Sequence, residues 1–278
     1  MTATARDEVT GATGIPSDVP ARRGGRALAG VVLPPLVAAT LAVIAWDVWV
    51  RVAEVPTYIV PSPAAVAQAL AETPGRFARA ALHSLVAAGG GLAIATAFAL
   101  ALAVPIAHSR AVERVLYPPA VLLKVTPIVA VYPLLMIWFG FGLWPKMVVA
   151  ALLTFFPMLV NAVTGLRSID PQAHDVLRVL HASRWQVFWR LRVPSSLPYL
   201  FAALRVSVPL ALIGAVVAEF LSGSVGMGQL ILIANGQFDT ASIFAAMFIL
   251  AALGVSLTAV LSYLERRVLD WHESSRGT

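Results

Sequence analysis

The sequence predicts an all-α polytopic membrane protein with six transmembrane helices. Three observations carry that prediction: an excess of apolar residues, six stretches long enough to span a bilayer, and basic residues gathered on alternate connections. Hydrophobic residues make up 59% of the 278 and charged residues 12%, with a mean hydropathy of +0.83. A soluble domain carries about 25% charged residues, and a core of this size could not hide so much apolar surface from water. A bilayer can. The chain has no cysteine, which excludes disulfides, thiolate metal sites and cysteine nucleophiles. Its net charge of +6 would suit nucleic acid in a soluble protein. In a membrane protein such an excess reflects retention of cytoplasmic connections, so no nucleic-acid partner is expected.

Residues 1–27 are polar and small, and read as a disordered cytoplasmic tail. Arg22-Arg23 before an apolar run resembles a twin-arginine export signal. The run 28–50 is nevertheless long enough to span and no small-residue cleavage site follows it, so it is predicted to be an uncleaved first span. Further spans are predicted at 81–107, 115–139, 144–166, 197–221 and 241–264, with a short cytoplasmic tail at 271–278. A spanning helix needs about 20 apolar residues and satisfies its own backbone without water. The alternation of a transmembrane barrel is absent.

Placing the N-terminus in the cytoplasm puts 14 of the 20 basic residues inside: Arg6, Arg22, Arg23, Arg26, Arg110, Arg114, Arg167, Arg178, Arg184, Arg190, Arg192, Arg266, Arg267 and Arg276. Only Arg51, Arg76, Arg79 and Lys146 fall outside, and Lys124 and Arg205 lie within spans. That bias predicts that both termini are cytoplasmic. The third span is unusual, carrying Pro118, Pro119, Pro127 and Pro133. It reads either as a kinked helix or as a broken helix lining a pathway. Lys124 inside it faces a cavity or snorkels to the surface.

The longest inside connection, between the fourth and fifth spans, carries a segment at 170–198 with a pattern of its own. Asp170-Pro171 is a helix-start signal. Val176, Val179 and Leu180, then Trp185, Phe188, Trp189 and Leu191, fit a short amphipathic helix pair. Pro194 and Pro198 are expected to stop helices ahead of the fifth span. The pattern alone allows an interfacial helix on anionic lipid or a helix docking into a groove of another protein.

The stretch DVLRVLHASRWQVFWRLRVPSSLPYLFAALR resembles the EAA loop of ABC importer permeases, with Asp175 at the acidic position, Ala182 after the glycine position and Val193-Pro194 in place of Leu-Pro. His181 replaces the usual glycine and Val176-Leu177 the alanine pair. KVTPIVAVYPLLMIWFGFGLWPK, AEFLSGSVGMGQLILIANGQFDTASIFAAMFIL and LERRVLDW are similar to segments of permeases for nitrate, sulfonate, taurine and related compounds. The resemblance runs from about Val55 to Trp271 and implies a type I ABC importer permease fold. It implies a coupling helix in which Asp175, Arg178, His181, Ala182, Ser183, Arg184, Trp185 and Phe188 contact an ABC ATPase subunit dimer. It also implies a second permease copy and an extracytoplasmic solute-binding protein as partners.

The two lysines follow Leu123 and Pro145, so no Walker A loop is present. ATP and Mg are therefore expected in the partner subunit, with no cofactor bound by this chain and no enzymatic activity of its own. Candidates for the solute pathway are Lys124, Thr126, Trp138, Asn161, Arg205 and Glu219, each with a structural alternative. Glu219 would repel an anion, which favours a structural role for it. The five histidines show no metal-ligand spacing. The resulting expectation is a homodimeric permease passing a small anion, such as a sulfonate, nitrate or organic acid, inward by alternating access. A secondary transporter or channel without an ATPase is the alternative.

Overall fold

A computed structural model describes residues 24–269, with side chains from Leu33 onward. The predicted tails, Arg22-Arg23 among them, lie wholly or largely outside the described residues. Among those described, all regular structure is helical: α1 Gly24–Val52, α2 Pro63–Glu72, α3 Pro74–His108, α4 Arg110–Val125, α5 Ile128–Phe139, α6 Leu143–Arg167, α7 Pro171–Val179, α8 Arg184–Val187, α9 Val193–Ser222, α10 Met227–Gly236 and α11 Thr240–Val268. Five helical segments are long and apolar enough to cross a membrane, six if the bent pair α4–α5 counts as one. Residues up to Trp49 form one unit and those from Val50 another.

Local chemistry sets the helix ends. Ser62 caps α2 by accepting from the Ala65 amide (3.2 Å), with Pro63 in the first turn. Ser109 caps α4 through the Val112 amide, and Asp239 caps α11 through Ser242. Each side chain satisfies one of the amides a helix start leaves orphaned.

The centre of the second unit is the trio α3, α6 and α9. Lipid offers no hydrophobic drive for helices to associate, so close approach through small residues supplies the contact instead. Ala95, Ala99 and Ala103 of α3 are fully enclosed, as are Ala150 of α6 and Ala211 and Ala215 of α9. A Cβ on Gly91 would strike Ala150 and the Met147 carbonyl, and one on Gly214 would strike the Ala150 backbone. Large side chains turn the other way: Phe98, Ile213 and Val255 are exposed, the arrangement suited to lipid rather than water.

The third predicted span is not one helix. It divides at Thr126-Pro127 into α4 and α5, bent by 102°. Pro127 has no amide to continue the ladder and disfavours helix at the residue before it, and Thr126 is extended (φ −71°, ψ 125°). Pro118 and Pro119, by contrast, sit within α4 without ending it.

The start of the fifth span also departs from expectation. Pro194 and Pro198 stop nothing; helical backbone runs from Arg184 to Ser222, 39 residues. A π turn at Phe188–Arg192 makes this continuous. There the Val193 amide reaches Phe188, five residues back. The widened turn accommodates the missing Pro194 donor. The second span likewise begins earlier than predicted, at Pro74.

Candidate functional site

Two clusters of chemistry lie at opposite ends of the second unit. The first is α7 and α8. Asp170 accepts from the Gln172 amide at 2.9 Å and starts α7, as its position before Pro171 suggested. At the far end the His181 amide donates to Arg178 O and the Ala182 amide to Leu177 O, both at 3.0 Å. This is a Schellman closure, and it places His181 at φ +54°, where glycine is preferred. The substitution noted in the sequence therefore falls on the residue that must adopt a left-handed backbone. Ser183 and Gln186 then form a reciprocal capping box that opens α8 (Gln186 N to Ser183 Oγ 3.2 Å; Ser183 N to Gln186 Oε1 2.8 Å).

The two short helices present distinct faces. At about 100° per residue, Val176, Val179 and Leu180 lie opposite His174 and Arg178 on α7. These three apolar side chains are exposed, Val179 by 76%, and Trp185 on α8 is exposed by 68%. Asp175 and Arg184 are also exposed, and Ala182 is half-buried. Trp185, Phe188 and Trp189 cluster with ring centroids 5.5–6.1 Å apart, Trp185 stacked on Phe188 and Trp189 edge-on to both. Phe188 also meets His108 at the end of α3 (6.3 Å). Arg167 joins this end by two hydrogen bonds to Glu113 (3.0 and 2.8 Å) and one to Ile106 O (2.7 Å). It thus ties α6 to α3 and α4.

At the other end stands Glu219, fully enclosed near the end of α9. Its Oε2 accepts from Ser84 Oγ of α3 (2.7 Å) and from the Gly228 amide (3.1 Å). Its Oε1 lies 4.0 Å from Lys146 Nζ of α6. Lys146 is itself buried and donates to Val225 O, and the Met227 amide donates to Ser84 Oγ (2.9 Å). Gly226 is at φ +152°, and a Cβ there would enter the Glu219 carboxyl. A Cβ on Gly228 would strike Val216 O. Only glycines let this loop close over the carboxylate. The sequence marked Glu219 but missed Ser84, and it counted Lys146 among the outside charges. Lys146 lies 73 residues from Glu219, and no local signal joins them.

The other pathway candidates are dispersed. Lys124 is exposed beside the bend, 4.7 Å over the Phe156 ring, and Thr126 donates back to Leu122 O (2.7 Å). Asn161 donates to Pro157 O (2.9 Å), Trp138 is exposed, and Arg205 pairs with Glu265 of α11. No two of the six candidates hydrogen-bond or ion-pair with each other among the described residues. Among those residues no three His, Asp or Glu could hold a metal.

Residues 89–270 match the family described as binding-protein-dependent transport system inner membrane component. The chain belongs to that family. The permease is 40% identical over 238 residues to the riboflavin transport system permease protein RibX of Chloroflexus aurantiacus, across 84% of this chain and 88% of that protein. It is 34% identical to the formylaminopyrimidine transport permease protein ThiX of Halalkalibacterium halodurans, across 87% and 96%. Its fold is similar to a chain of the MetNI methionine ABC transporter, with a TM-score of 0.64 at 14% identity over 71% of this chain and 98% of that one. The architecture is that of a type I ABC importer permease. The permease is accordingly a multi-pass inner-membrane component of an ABC importer.

Proposed function

We propose that this permease takes a small organic solute from an extracytoplasmic binding protein and passes it to the cytoplasm by alternating access, driven by a separate ABC ATPase dimer seated on α7 and α8. The observation that carries the reading is the exposed apolar face of α7. Val176, Val179 and Leu180 project from a short helix outside the span bundle, Trp185 of α8 is exposed as well, and the chain holds no P-loop to drive itself. A helix of this kind fits a groove on a partner. The α7–α8 end is then cytoplasmic, as the basic bias expects, and a second copy completes the pathway around the α4–α5 bend. ATP and Mg belong to the ATPase.

Glu219 is a structural group in this reading. It holds the loop Gly223–Gly228 and the start of α10 against α3 and α6 and makes no contact with solute. For the solute, relatives named for riboflavin and formylaminopyrimidine support a heteroaromatic compound, and relatives named for aliphatic sulfonates and taurine, with the sequence resemblance, support a sulfonate or other small anion.

In proteoliposomes, uptake should require the binding protein, the ATPase and ATP together. The permease purified alone should hydrolyse no ATP, and Val179→Asp should abolish ATPase association while the helical fold persists. Uptake without any ATPase would replace this reading with the secondary transporter or channel. Thermal-shift screening of the binding protein against flavins, pyrimidines and sulfonates identifies the solute class.

A further inference from the structure

The face of α7 opposite its exposed apolar residues borders a cleft of about 470 Å³, lined by His108, His174, Arg178, Arg184 and Arg192 together with small apolar groups. Three guanidinium groups and two imidazoles share this space. Among the described residues no Asp or Glu lines it, and neither Arg178 nor Arg184 has a carboxylate within ion-pair distance. Arg192 makes one long hydrogen bond, to Leu166 O at 3.3 Å. Such a concentration of positive charge calls for an anion.

A second hollow, of about 410 Å³, adjoins the first and shares His108 and Arg184 with it. Its remaining walls are Val104, Pro105, Trp185 and Phe188, all apolar or aromatic. The pair lies where spans end: Pro105 and His108 close α3, and Arg192 precedes α9. Tryptophan and basic residues at that depth are what a lipid headgroup region favours. A free anion would fill the basic cleft and leave the apolar hollow beside it unused. A molecule with an anionic head and a hydrocarbon chain fills both.

We propose that an anionic phospholipid binds here, its phosphate held by Arg178, Arg184 and Arg192 with His108 and His174, and an acyl chain lying against Val104, Pro105, Trp185 and Phe188. The lipid backs the basic face of α7, so that Val176, Val179 and Leu180 are turned outward. This last consequence rests on the coupling role proposed above; the binding site itself does not.

The test uses the full-length permease in nanodiscs of phosphatidylcholine with about 30 mol% phosphatidylglycerol, and native mass spectrometry of the lipid retained after release. The wild-type chain should retain phosphatidylglycerol over phosphatidylcholine. Arg178→Gln and Arg192→Gln should each weaken retention about fivefold, whereas Arg178→Lys and Arg192→Lys should keep most of it. Equal retention of the two lipids by the wild-type chain, or unchanged retention in the glutamine variants, overturns the proposal. A second arm adds inorganic phosphate: if phosphate displaces the lipid stoichiometrically, the site takes a free anion and the lipid assignment fails. ATPase association is measured separately. Its absence with lipid selectivity intact counts against the coupling surface, not against this site.

Discussion

The two ends of the second unit treat charge in opposite ways. Around Glu219, α3, α6 and the start of α10 are tied to the carboxylate by two hydrogen bonds and an ion pair, and the side chains are sealed from solvent. Around α7 and α8, tryptophan, valine and arginine stand exposed, held in place by backbone closures and caps rather than by burial. The first arrangement spends its polar groups on its own fold; the second leaves them free for other molecules. A buried network rigidifies because leaving any member unpaired in low dielectric is costly. An exposed one tolerates substitution in the chain and registers it in a complex.

The sharpest test of this contrast is removal of Glu219. Glu219→Ala leaves Lys146 buried without its counter-charge and frees the loop over α10, and should lower stability by about 3–5 kcal/mol, read by thermal melting in detergent. The double replacement Glu219→Gln with Lys146→Met should recover most of that loss, because no buried charge is then left without a partner. If Glu219→Ala melts like the parent but no longer transports, the carboxylate belongs to the solute path.

At the other end the effects should appear in assembly. Trp185→Ala should weaken ATPase binding by about 2 kcal/mol, about thirtyfold, while the melting of the permease itself stays close to wild type. Titration with the purified ATPase subunit checks this; a comparable fall in melting temperature would make Trp185 a packing residue instead.

His181→Gly should raise stability by about 0.5–1 kcal/mol, since glycine adopts the φ +54° backbone without the side-chain clash that histidine carries. Denaturant melts comparing the two chains suffice, and a loss of stability would show that the imidazole makes a compensating contact. The smallest expected change is at Lys124. Lys124 is exposed, so its contact with Phe156 falls at the low end of such interactions, about 0.5 kcal/mol, and Lys124→Glu should barely alter melting yet reduce uptake if the residue lines the pathway. Unaltered uptake would leave it as a lysine packed on an aromatic ring.

Particular residues show how far the sequence reached. The capping pair Asp170-Pro171 and the 3–4 spacing of Val176, Val179 and Leu180 are local signals, and α7 forms where they put it. His181 was recognisable as a departure at a glycine position because one residue's φ is at stake. The prolines misled in both directions. Pro127 breaks a helix, while Pro194 and Pro198 do not; for Pro194 a π turn directly upstream provides the slack that a single-residue rule cannot foresee, and Pro198 sits inside α9.

By itself, the sequence determined that this chain lies in a membrane, that its regular structure is helical, and where the short amphipathic helices between the fourth and fifth spans fall. Those properties follow from apolar run length, from the bilayer's demand for internally satisfied backbone, and from motifs read within a few residues. Only the tertiary structure decided that Ser84, Lys146, Glu219 and Gly228 form one buried unit, that the third span bends by 102°, and that Arg178 faces a basic cleft rather than the exposed apolar side of α7. Each of these depends on residues far apart in the chain or on backbone geometry at one turn. The packing of small residues between α3, α6 and α9 brings the distant groups within hydrogen-bonding reach.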